Sequence, residues 1–110
     1  MCKSISPAVF LALVFKKRRS HSIAYSDLEV YREKMARIKL ESTDGYDVDW
    51  NHDSFLFTLG FYAPVFQDDG ANMRCNLKEL DKYFRIITSS IPQEDISQLE
   101  FAFDSTESNS

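Results

Sequence analysis

Asp53-Ser54-Phe55-Leu56-Phe57-Thr58-Leu59-Gly60-Phe61-Tyr62-Ala63 is the stretch whose reading decides the fold. Phe55, Phe57, Leu59 and Phe61 alternate with Leu56, Thr58, Gly60 and Tyr62, and both sets are largely apolar. That is the pattern of a central strand covered on two faces. Phe55, Leu59, Tyr62 and Phe66 also fall at helical spacing. The aromatic content and the interior Gly60 favour the strand, so residues 55–62 are expected to be extended. Read as a helix instead, the stretch would complete three helices ahead of a hairpin at Asp69-Gly70, the order of a winged helix-turn-helix.

Working outward, Pro64 ends the stretch, and Asp69-Gly70 marks a tight turn between residues 65–67 and 72–75. Upstream, Tyr46, Val48 and Trp50 alternate with Asp47 and Asp49, which predicts a strand with one wet face. Before it lies the clearest helix. Ser26 and Glu29 have the spacing of a capping box, and Tyr25 and Val30 hold the positions of a hydrophobic staple. Leu28, Tyr31, Met35 and Ile38 then form one apolar face, ending near Leu40.

Ser6-Pro7 opens an earlier helix, with a serine to cap it and a proline where the missing N–H costs nothing. Residues 8–15 are apolar all round, which predicts a buried, central helix. Lys16, Lys17, Arg18 and Arg19 follow, at the end where the helix dipole favours cations. Asn76 and Glu79 open a helix striped by Leu80, Tyr83, Phe84 and Ile87. Beyond Pro92 a short helix is expected, then an edge strand through Leu99, Phe101 and Phe103.

At 110 residues, 44% hydrophobic and 14% aromatic, the chain is too short for two ordinary domains and too apolar to be disordered. The expectation is a single compact α+β domain over residues 1–103, with two N-terminal helices, a small antiparallel sheet of about three to four strands and a C-terminal helix. Residues 104–110 read as a flexible polar tail. No apolar run reaches the ~18 residues of a membrane span. The basic cluster follows the apolar run instead of preceding it, unlike a signal peptide. Cys2 and Cys75 show no pairing pattern, so a cytoplasmic protein is expected.

The overall charge of −4 is strongly segregated. Residues 1–39 carry a net +6, residues 40–73 hold seven acids and neither Lys nor Arg, and residues 91–110 hold five acids and no base. Asp44, Tyr46, Asp47, Asp49, Trp50 and Asp53 interleave carboxylates with aromatics and are the expected partner-binding residues. Clustered carboxylates steer a basic partner, and aromatics anchor it. Such acids also serve as the wet face of an edge strand that resists aggregation.

No catalytic chemistry is visible. The run from Asp47 to Asp53 begins like a calcium loop but has His52 at the sixth position and Thr58 at the twelfth, where glycine and glutamate are required. His21 and His52 lack metal-ligand spacing, so neither a metal nor another cofactor is expected. Cys75, beside a helix start, is the one candidate reactive thiol. Phosphate loops and dinucleotide fingerprints are absent, and no small-molecule substrate is implied.

The chain is therefore expected to be no enzyme but a small acidic binding protein, a stoichiometric inhibitor or immunity-type protein covering a basic, nucleic-acid-acting partner. The alternatives are a winged-helix nucleic-acid-binding regulator or a structural subunit of a larger complex, touching nucleic acid through Lys16, Lys17, Arg18 and Arg19, or a small homo-oligomer pairing through an exposed edge or aromatic face. Direct nucleic-acid contact is disfavoured, because DNA affinity rests on cations that the central stretch lacks.

Overall fold

In the computed structural model, which describes residues 2–41 and 44–107, the chain opens with strand β1 (Cys2–Ile5) and turns at Ser6 into helix α1 (Pro7–Arg18). There follow β2 (Ser22–Ala24), α2 (Tyr25–Arg37), β3 (Asp44–Val48), α3 (His52–Phe61), β4 (Phe66–Asp69), β5 (Asn72–Cys75), α4 (Leu77–Ile87) and α5 (Gln93–Glu107). The architecture is α+β. Ser6 Oγ accepts from the Val9 N–H at 3.4 Å, with Pro7 at the first helical position. Residues 8–15 are all buried, and α1 packs against each of the other four helices. It is the axis of the core, as an all-apolar helix in water must be. Arg19, at a left-handed φ of 52°, ends it by donating its N–H to the Phe15 carbonyl at 2.8 Å.

Two small sheets flank this axis. β1 and β3 pair in parallel, with Lys3 opposite Tyr46 and Ile5 opposite Val48. Tyr46 and Val48 face the core, and Asp47 points outward, which is the alternation read from the sequence. β3 lies tightly against α2: a Cβ on Gly45 would sit 1.8 Å from the Met35 carbonyl oxygen. Gly45 also donates its N–H to the Ile38 carbonyl. Because the obstruction is backbone, Gly45→Ala is expected to cost about 3 kcal/mol, read as a lower urea midpoint at unchanged slope.

The second sheet is antiparallel in the order β2-β5-β4. Its hairpin turns through Gly70-Ala71, with Gly70 at φ 74° supplying the positive φ that a two-residue loop requires. Asn76 then caps α4, its side-chain oxygen accepting from the N–H groups of Lys78 and Glu79 at 3.2 and 3.3 Å.

Several expectations are corrected. Residues 55–62 are not a strand: they lie in α3 and its C-cap. The order α1-β2-α2-α3 followed by the β4-β5 hairpin is that of the winged-helix alternative, with β1 and β3 added. α2 ends at Arg37 instead of near Leu40, because Ile38 is already extended where the chain turns back into β3. The Ser26–Glu29 capping box is not made. The helix begins two residues earlier than that cap implies, and the Tyr25 N–H is satisfied by the Ala71 carbonyl at 3.0 Å. Among the described residues no edge strand follows Pro92: Ile96, Leu99 and Phe103 form a buried helical stripe in α5. That helix runs past the expected tail boundary at 104 to Glu107, and residues 108–110 lie outside the described residues. Among the described residues no helix is long and apolar enough to cross a membrane.

Candidate functional site

α3 is held at its start by polar contacts and along its length by the core. The Asn51 side chain caps it by accepting from the Ser54 N–H at 2.9 Å. Asp49 braces that cap, accepting from Asn51 Nδ2 at 2.6 Å and Ser54 Oγ at 3.0 Å. Phe55, Thr58, Leu59 and Tyr62 share the inward arc; Thr58 is fully buried, and the other three pack against the core. The remaining arc, by helical spacing, carries Asp53, Leu56, Phe57, Gly60 and Phe61.

This outward arc is the inverse of an ordinary amphipathic helix. Phe57 and Phe61 are each 66% exposed and Leu56 50%, while the threonine is inside. The rings of Phe57 and Phe61 stack at 5.5 Å and 11°. Phe61 meets Tyr62 edge-on at 4.8 Å, and Tyr62 meets Tyr83 of α4 at 6.3 Å. Ile86, 64% exposed, lies one turn beyond Tyr83 on the same helix. These side chains expose on the order of 500 Å² of apolar surface, near the upper end for a monomer's largest patch. An interface of standard size covers roughly 800 Å² on each partner. The patch therefore has the area of an interface's apolar centre.

Gly60 lies within this arc, and a Cβ added there would meet nothing within 4 Å. A glycine inside an exposed helix costs stability relative to alanine. Gly60→Ala is expected to raise stability by about 0.5–1 kcal/mol, the opposite sign to the same change at Gly45. Paired urea titrations of the two variants check both.

The residues expected to bind a partner are dispersed by the fold. Tyr46 is corrected outright: it is buried, its hydroxyl donating to Asp95 at 2.5 Å, so it cannot anchor anything outside. Burial and the Asp95 carboxylate push its phenol up to about 12. Asp47 accepts from Arg32 Nε at 3.0 Å. Asp49 serves the α3 cap, and Asp44 starts β3 opposite Lys39. Trp50 is half-buried, edge-on to Phe10 at 5.8 Å and Phe55 at 5.7 Å. Asp53 stands exposed on α3, and Asp44 is exposed at the start of β3. Phe57, Phe61 and Tyr83 were read from the sequence as core residues and Ile86 was not singled out, because apolar residues are assigned inward by default.

The basic cluster is engaged within the fold. Lys16 and Arg19 reach Asp81 of α4 at 2.9 and 3.1 Å, Lys17 reaches Asp104 of α5 at 2.7 Å, and Arg18 donates to the Tyr31 hydroxyl at 2.7 Å. Hydrogen bonds from Lys16 and then Arg19 hold the Asp81 carboxyl below its ordinary range. A depressed carboxylate contributes stability above its unfolded pKa and loses it as pH falls through the folded value. Asp81→Asn is therefore expected to lower stability at pH 6 and to narrow its gap to wild type at pH 3, measured by urea unfolding.

Cys75 is no reactive thiol. It is buried, and burial foremost, with Asp81 adding, pushes the thiol up to about 12 despite the helix start beside it. Among the described residues no three His, Cys, Asp or Glu side chains stand close enough to hold a metal ion. No protein-family model, no curated protein and no solved structure matches the chain.

Proposed function

We propose that this chain is a non-enzymatic binding protein that acts as a stoichiometric inhibitor, laying the outward face of α3 against a partner with a basic surface. The observation that carries this reading is the inverted helix: three large apolar side chains held in water on α3, continued by Tyr83 and Ile86 of α4. Charge supports the kind of partner. Residues 40–73 contain no Lys or Arg, and Asp53 sits within the aromatic arc. A basic protein surface gains a complementary field there, and its apolar contacts gain anchors. Occlusion is the mechanism: the domain covers the partner's phosphate-binding surface and needs no chemistry of its own. We place it in the cytoplasm, a reading supported by unpatterned cysteines and by Cys75 being free and buried.

The winged-helix order does not by itself bring DNA binding. α3 occupies the recognition position without one Lys or Arg. The connection from α2 contains β3 instead of the short turn of a helix-turn-helix. The test is a titration of the partner isolated from the native host. The expected complex has one copy of each chain, blocks the partner's activity at one equivalent, and weakens in Asp53→Lys. Salt-sensitive DNA binding by the chain alone, with no protein complex, overturns the reading.

A further inference from the structure

Beside the start of α3 lies a second feature, a cleft of about 470 Å³ between α2, the loop into α3 and the β4-β5 hairpin. Three aromatic side chains, Tyr25, Trp50 and Phe55, line it together with Glu29, Asp68 and His52. The rings are inclined, not stacked: Trp50 to Phe55 at 5.7 Å and 62°, Tyr25 to Phe55 at 6.5 Å and 62°. The Tyr25 hydroxyl donates to Asp68 at 2.8 Å, fixing a carboxylate at the rim. Glu29 adds a second carboxylate, and Arg32, its neighbour at 3.5 Å, is held closer to Asp47, at 3.0 Å. Among the described residues no Lys or Arg lines the cleft.

Trp50 Nε1 is buried without a hydrogen-bond partner among the described residues. Unpaired buried donors are rare and ask for a reason. Inclined rings with carboxylates at the rim satisfy the two demands of an organic cation: π faces to replace its water and counter-charge to hold it.

We propose that this cleft binds an organic cation, the ammonium or guanidinium head of a lysine or arginine side chain. The inference deepens the reading of a basic partner and rests on it only for the source of the cation. Inorganic cations are poor candidates, because hard divalent ions take six or more oxygen ligands and only two carboxylates, Glu29 and Asp68, line the cleft among the described residues. A neutral apolar side chain would bring no counter-charge to Glu29 and Asp68.

Trp50 is the sole tryptophan, so its fluorescence reports the cleft directly. The probes are short capped peptides carrying one arginine, one lysine, or one citrulline as the uncharged isostere of arginine, with tetramethylammonium as a free cation. The arginine or lysine peptide is expected to shift Trp50 emission saturably, with a Kd on the order of 1 mM, and citrulline is not. Glu29→Gln/Asp68→Asn, which keeps an acceptor for Tyr25, is expected to weaken the cation by about tenfold. Saturation by tetramethylammonium alone supports the site but assigns it to a small molecule. Equal binding of citrulline, or no saturable response to any cation, overturns the proposal. A Phe57→Ser/Phe61→Ser variant is expected to keep cation binding, which separates failure of the cleft from failure of the α3 face.

Discussion

Replacing Phe57 and Phe61 together by serine is expected to lower affinity for the partner by about a thousandfold while leaving the melting temperature within about 2 °C of wild type. Both rings stand two-thirds in solvent, so the folded chain loses little burial when they go. Surface substitutions away from caps and buried networks usually move stability by less than about 0.5 kcal/mol. Aromatic anchors at the centre of an interface, by contrast, cost about 2 kcal/mol or more each when truncated, roughly thirtyfold apiece. Calorimetric titration against the purified partner, beside thermal unfolding of the free variant, reads the two quantities separately. A loss of several kcal/mol in stability would make the stacked pair a structural clasp, not a contact surface.

Phe10→Ala is expected to have the largest effect on folding, about 3–5 kcal/mol. Phe10 is wholly buried on α1, edge-on to Trp50, which in turn meets Phe55 at the first turn of α3. Its removal leaves a cavity at the junction between the core axis and the helix that carries the site. For a domain whose total stability lies in the ordinary range of about 5–15 kcal/mol, that is a large fraction. Urea unfolding followed by Trp50 emission measures it at the affected contact. Phe101→Ala, removing a ring 74% exposed on α5, is expected to change stability by less than about 0.5 kcal/mol.

These two phenylalanines also mark what could be read from the sequence. Around Phe10 every neighbour is apolar, and an unbroken apolar run has one stable place in a water-soluble domain, the centre. The caps at Ser6 and Asn76, the alternation of Tyr46, Asp47 and Val48, and the glycine turn at Gly70 were legible for similar reasons: each is a local pattern with a local cause. α3 was not. Its apolar residues satisfy both a two-residue and a helical period, and both readings assume that apolar side chains are buried. In α3 that assumption fails at Leu56, Phe57 and Phe61, while Thr58 goes inside. β1 and β2, of four and three residues, are too short for a period and exist through partners distant in the chain.

The site followed the same division. Composition drew attention to Trp50 and Asp53; the first lines the cleft beside α3 and the second lies on the helix itself. Tyr46 and Asp47 sit in the same acidic-aromatic run, but Asp95 from α5 and Arg32 from α2 claim them. No local pattern announces partners so far along the chain. Lys16, Lys17 and Arg19 likewise meet Asp81 and Asp104 only once α4 and α5 pack on α1. Places that break the burial rule are where sequence patterning is expected to fail, through function or through strain.

The most direct measurement places a photo-crosslinking phenylalanine analogue at position 61 in the native host, beside the same analogue at position 33 on the exposed side of α2. The expected result is one discrete adduct from position 61, carrying one copy of a basic protein and suppressed by excess wild-type chain, with none from position 33. An adduct of twice the chain's own mass would contradict occlusion and make α3 a self-association face. Equal, unspecific adducts from both positions would mean that the exposed rings of α3 recognise no partner.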